Sequence, residues 1–185
     1  MGAEVNILGF AGSLRKGSYN KALLRTAAEL LPTNAALEAF DIEGITPFNQ
    51  DLETEPPGSV REFKAKIRAA DAILIATPEY NYSVPGILKN ALDWASRPFG
   101  DSAWPGKPLA LMSASTGMLG GSRAQYHLRQ TLLFLDVVVV SKPEVFVTFA
   151  GQKFDETGRL TDEATRGVVA ALLKALVNLA SKSAH

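Results

Sequence analysis

Two rhythms of apolar positions alternate along the chain. Val5 to Phe10, closed by Gly12, and Ala72 to Ala76, opened by Asp71, are short apolar runs of the kind that predict strands buried on both faces. Ala36 to Phe40 and Lys107 to Ser113 predict two more strands. Val137 to Phe149 is β-branched and apolar but interrupted at Pro143, which predicts one kinked strand or two. Between these runs the spacing turns helical. From Ser18, apolar residues recur at Ala22, Leu23, Thr26, Ala27, Leu30 and Leu31 and stop before Pro32. The same period covers Pro57 to Ala70, then Ile87, Leu88, Ala91, Leu92 and Ala95 behind Pro85, whose missing N–H suits a helix start. Further helices are predicted from about Arg123 to Leu135 and from Thr161 to Ala180. Ile42 to Pro57 has no sustained period and is expected to be a surface loop.

Strands alternating with helices imply right-handed βαβ units, and five of each predict an α/β fold with a doubly wound parallel sheet covered on both faces. At 185 residues, with no internal repeat and no linker, residues 1–185 are expected to form a single domain. Apolar residues make up 46% and charged residues 21%, the balance of a globular protein. The 19 basic side chains match the 19 acidic ones, so no cationic field exists to gather nucleic acid. There is no cysteine, which removes disulfides, thiolate zinc, iron–sulfur clusters and cysteine nucleophiles together. Redox chemistry here requires a borrowed cofactor. No apolar run approaches about 18 residues and no basic leader precedes Val5, so no membrane is expected and the cytoplasm is the default location.

Ligands of open parallel sheets bind beyond the carboxyl ends of the strands, near the switch in strand order. Three loops fall there: Gly12 to Asn20, Thr77 to Ser83 and Ser113 to Gly121. The first offers Ser13, Arg15, Ser18 and Asn20 where a helix begins, a cup suited to a terminal phosphate. Gly12 and Gly17 have Walker spacing, but Ser18 replaces the lysine that a triphosphate needs. The third glycine of a dinucleotide fingerprint is missing as well, although Asp41 lies at about the distance of a ribose-binding acid. The plainer reading is a polar turn with Ser18 as N-cap. In the second loop Tyr80 and Tyr82 are aromatic where solvent is expected, which suits either a flat ring or a seal on the domain or a subunit contact. In the third, Gly117, Gly120 and Gly121 permit close backbone approach to a ligand, or simply a mobile turn. His127 and His185 form no cluster, and no G-x-S-x-G elbow is present, so metal hydrolysis and a hydrolase triad lack support. His127 is expected on a helix surface, and Trp94 and Trp104 in packing.

The segments GSLRKGSYN at 12 to 20, PEYNYSVPGILKNALDW at 78 to 94 and SASTGMLGG at 113 to 121 resemble the NADPH-dependent FMN reductase-like family of flavodoxin-fold quinone, chromate and azo-dye reductases, over nearly the whole chain. That resemblance implies a flavodoxin-like five-stranded sheet and an FMN whose phosphate is held by Ser13, Arg15, Ser18, Tyr19 and Asn20. It implies Pro78, Glu79, Tyr80 and Asn81 beside the isoalloxazine, and Ser113, Ser115, Thr116, Gly117 and Gly120 at the pyrimidine side and ribityl chain. Thr116 stands where relatives often have a small or apolar residue. NADPH or NADH is the implied hydride donor, a quinone, chromate or similar small molecule the acceptor, and a homodimer or homotetramer the assembly. A flavodoxin-type electron carrier is the competing reading, though such carriers need a charged docking face; a flavin-free NAD-binding protein is a third.

Overall fold

The computed structural model describes residues 4–183. Its strands are β1 (Val5–Ala11), β2 (Ala35–Phe40), β3 (Ala72–Thr77), β4 (Pro108–Ala114), β5 (Val138–Val139) and β6 (Val145–Val147). Its helices are α1 (Tyr19–Glu29), α2 (Gly58–Ala69), α3 (Gly86–Ala95), α4 (Ser122–Phe134) and α5 (Glu163–Ser183). All pairings between these strands are parallel, in the order β2-β1-β3-β4-β5, with β6 also on β4. The chain steps from β1 outward to β2 and returns to the other side of β1, so the order reverses between β1 and β3.

Side chains leave each strand alternately to two cores. Ile7, Leu74, Ala76 and Met112 join α1 and α5 on one face, and Phe10, Ile73, Ile75 and Leu111 join α2, α3 and α4 on the other. This explains why the strand runs are continuously apolar. In α5, Val169, Leu172, Leu173, Leu176, Val177 and Ala180 are buried at helical spacing. That helix is long and apolar enough to cross a membrane by length and composition, and here its stripe packs on β4, β1, β3 and β6.

Two expectations need correction. The sheet has six strands rather than five, because β5 pairs with Pro108 and Leu109 while β6 pairs with Met112 to Ala114, both on the same flank of β4. Pro143 falls in the break, where its lack of an N–H does no harm to a ladder. The segment after Phe40 is not wholly a surface loop. Ile42 and Ile45 are buried in the α2–α3 core, and Thr46 accepts hydrogen bonds from Asn90 Nδ2 (3.0 Å) and Trp94 Nε1 (2.8 Å). Two isolated isoleucines in a polar stretch make no period, so their burial left no pattern to read. Trp94 and Trp104 are core residues as expected, and His127 is exposed on α4.

Candidate functional site

The register Ala11↔Ala76 and Thr77↔Ser113 brings the ends of β1, β3 and β4 side by side, and with them the three loops. Cross-bonds lock them together. Gly12 N–H donates to Ala76 O (2.9 Å), and a Cβ on Gly12 would stand 3.1 Å from Leu88, so the first turn lies tight against α3. Asn20 is buried and spends its amide on the end of β4: Nδ2 donates to Ala114 O (3.0 Å) and Oδ1 accepts from Ala114 N–H (2.9 Å). It ties loop one to loop three.

In the first loop Ser18 is the N-cap of α1, its Oγ accepting from Asn20 N–H (3.2 Å) and Lys21 N–H (3.3 Å). The plain capping reading is therefore correct, and the hydroxyl proton is still free for another acceptor. Tyr19 lies half-buried against Phe154, ring centroids 5.3 Å apart. Arg15 and Lys16 are exposed. Among the described residues no acceptor meets the backbone N–H of Ser13, Leu14, Arg15, Lys16 or Gly17, and the buried Ser13 makes no side-chain hydrogen bond. Unspent N–H groups at the positive end of a helix are what an anion requires.

The second loop is a mirror-image turn. Tyr80 and Ser83 exchange backbone bonds of 3.1 and 3.0 Å around Asn81 (φ 48°) and Tyr82 (φ 68°). Asparagine tolerates that conformation and tyrosine does so at a cost, so Tyr82 is held under strain. Its ring carries the Arg123 guanidinium 3.5 Å from the centroid. Glu79 holds that guanidinium, accepting from Nε at 2.6 Å, and also takes the N–H groups of Arg123 (3.1 Å) and Ala124 (3.4 Å). The carboxylate thus caps α4 across the loops, because Gly121, the residue at the cap position, has no side chain to do so. The same contact pushes the pKa of Arg123 further up. Pro78 is buried, and Ser83 Oγ lies 3.0 Å from His127 Nδ1.

The third loop is wired from behind. Ser113 is fully buried, donates to Gly120 O (2.6 Å) and accepts from Gln125 Nε2 (2.8 Å), which also reaches Val145 O (2.8 Å). Gly120 (φ 58°) and Gly121 (φ 87°) are left-handed, and a Cβ would stand 2.9 Å from the Phe146 backbone or 2.8 Å from Ser113 Cβ. The close approach these glycines permit is therefore to the chain itself. Gly117 alone of the three is open, its N–H bonded to Ser115 Oγ (3.1 Å). Thr116 is exposed, and among the described residues the N–H groups of Thr116, Met118 and Leu119 meet no acceptor. Leu14, Tyr80, Tyr82, Met118 and Leu119 leave apolar surface uncovered around them.

A phosphate cup at one end, free N–H groups at the other and apolar rims between fit a phosphorylated flat ring. Residues 5–152 match the family described as NADPH-dependent FMN reductase. The chain belongs to that family. It is 50% identical over 177 residues, 95% of each chain, to an NAD(P)H-dependent FMN reductase of Pseudomonas aeruginosa. It is 48% identical over 186 residues, 96% of this chain and 94% of the other, to an NAD(P)H:quinone oxidoreductase of Solanum tuberosum. The solved structure of FerB, a flavoenzyme NAD(P)H:(acceptor) oxidoreductase from Paracoccus denitrificans, superposes with a TM-score of 0.89 at 35% identity, covering 96% of this chain and 98% of that one. Membership explains the fold and the loops together. Arg123 and Gln125 escaped the sequence reading, since a basic and an amide residue in a first helical turn carry no signal of what lies opposite.

Proposed function

We propose that the three loops hold FMN and that the enzyme works by alternating half-reactions, taking hydride from NAD(P)H and passing it to quinones or similar small acceptors that use the same place. The chain is an FMN-dependent NAD(P)H:acceptor oxidoreductase. Bound FMN supplies hydride chemistry that no side chain here possesses. Ser13, Arg15, Ser18 and the N–H groups of the first loop bind the phosphate. Tyr19 and Asn20 act behind them, by packing and by the Ala114 clamp. Pro78, Glu79, Tyr80 and Asn81 border the ring, Glu79 by holding α4 and Arg123 in place. The N–H groups of Thr116, Met118 and Leu119 stabilise negative charge at the pyrimidine side, fixed dipoles in place of a proton donor, with Ser113, Ser115, Gly117 and Gly120 setting the backbone path. The unspent N–H groups at both ends of the site carry this reading.

Anaerobic mixing with NADPH is expected to bleach the flavin rapidly, and steady-state plots at several acceptor concentrations to run parallel; a flavin that stays oxidised would mark an electron carrier instead. Arg15→Ala is expected to weaken FMN binding by about 1.5 to 3 kcal/mol, through loss of a charge-assisted contact, and isothermal titration of the apoprotein reads it. The chain acts as one domain over residues 1–185, in the cytoplasm where its hydride donor is replenished. It assembles as a dimer or a dimer of dimers. Phe99, Leu133 and Phe134, 78%, 78% and 82% exposed, supply the uncovered apolar surface for it. Phe134→Glu is expected to shift the sedimentation coefficient toward the monomer.

A further inference from the structure

Asp41 stands at the mouth of a cavity of about 310 Å³ between α1 and the edge strand β2. Its floor is apolar, built from Leu24, Ala28, Leu37 and Ala39, and its rim carries Lys21, Arg25 and Asp41. The space exists because β2 is the last strand on its side and small residues face α1 there. Asp41 follows the final residue of β2 and is exposed; Oδ2 lies 3.1 Å from Lys21 Nζ, and Oδ1 accepts Glu43 N–H at 3.0 Å. Arg25 has no ion-pair partner among the described residues; its Nη2 lies beside Gly158, so the residue stands between this cavity and a neighbouring one of about 320 Å³ lined by Lys16, Ser18 and Asp155.

A second cavity of about 300 Å³ on the same strand makes a useful contrast. It lies toward the amino ends of β1 and β2, beside Asn6, Ala36 and Ala70, and its cation, Lys66, is already paired with Glu38. The Asp41 cavity instead combines an apolar floor and a cation without an ion-pair partner with the carboxyl end of the sheet, where ligands of open α/β sheets bind. Lys21 lies in the first turn of α1, directly behind the Ser18 cap, so the cavity and the first loop share one helix end. β2 stands two strand positions from β3, about 10 Å.

We propose that this cavity takes the adenosine half of the nicotinamide dinucleotide. The base lies on Leu24, Ala28 and Leu37, Asp41 accepts from the ribose hydroxyls, and Arg25 with Lys21 meets phosphate. The proposal rests on flavin being held by the loops at 13–20, 78–81 and 113–120, which places the nicotinamide over β3 and β4.

The test titrates the FMN-loaded enzyme with ADP-ribose, the donor without its nicotinamide, by calorimetry. Two variants accompany it: Ala28→Trp, which fills the cavity from an exposed helix position, and Arg25→Glu. Each is expected to weaken ADP-ribose binding on the order of tenfold, and to erase most of the preference for NADH over reduced nicotinamide mononucleotide, which lacks the adenosine. Absence of ADP-ribose binding, binding unchanged in both variants, or equal losses with both hydride donors would overturn the proposal. So would loss of FMN along with ADP-ribose, since that would put the effect in the flavin site. Failure of the flavin placement is read separately, as unchanged FMN affinity in Arg15→Ala, because ADP-ribose titration needs no assumption about the flavin.

Discussion

The loop between β1 and α1 and the loop between β4 and α4 are alike in composition, both rich in serine and glycine, and they are built in opposite ways. In the first, backbone N–H groups from Ser13 to Gly17 are unspent, and nothing lies within 4 Å of a Cβ placed on Gly17. In the second, Ser113, Gly120 and Gln125 are bonded to one another, and two glycines lie so close to Phe146 and Ser113 that no Cβ fits. One loop keeps its polar groups for a ligand. The other uses its side chains to hold its own shape and presents the backbone groups that remain. Glycine therefore has different meanings in the two loops, although the letters are the same.

Substitutions separate those meanings. Gly121→Ala combines a left-handed φ with a Cβ 2.8 Å from Ser113 Cβ, and is expected to destabilise the fold by about 2 to 4 kcal/mol in urea unfolding. Gln125→Leu leaves the Ser113 hydroxyl and Val145 carbonyl short of a donor, a loss of about 1 to 3 kcal/mol. Restoring the amide as Asn at the same position is expected to recover little, because the shorter side chain cannot span both acceptors. Gly17→Ala is expected to move stability by less than about 0.5 kcal/mol. A large loss at Gly17, or none at Gly121, would erase the distinction between the loops.

Much of this was legible in the chain because parallel strands and amphipathic helices write their burial as period. Val5 to Ala11 and Ala72 to Thr77 read correctly almost to the residue, and Ser18 announced its cap. The three loops were legible as a site because they follow strands whose ends a parallel sheet must bring together. What stayed hidden has a common cause. Asn20, Glu79 and Gln125 act on partners 94, 44 and 20 residues away, and a polar side chain looks the same in sequence whether its partner is a ligand or the backbone. Asn20, which the resemblance implies at the phosphate, has its amide bonded to Ala114. Glu79, which the resemblance implies beside the ring, has a carboxylate that also caps a helix. The burial of Ile42 and Ile45 escaped for the same lack of local period, whereas two strands within Val137 to Phe149 are one of the two outcomes that the interruption at Pro143 predicts.

The division of the last sheet position into β5 and β6 bears on how the protein meets other copies of itself. A long, flat outer strand offers a row of free amide and carbonyl groups on which a foreign chain can add, the first step toward fibrous aggregates. Here that border consists of two residues, a gap containing Pro143, and three more residues. Neither piece is long enough to template an incoming strand, so the interruption protects the β5–β6 border of the sheet from runaway self-association. The opposite border, the six-residue β2, has no such break and is where misassembly would begin.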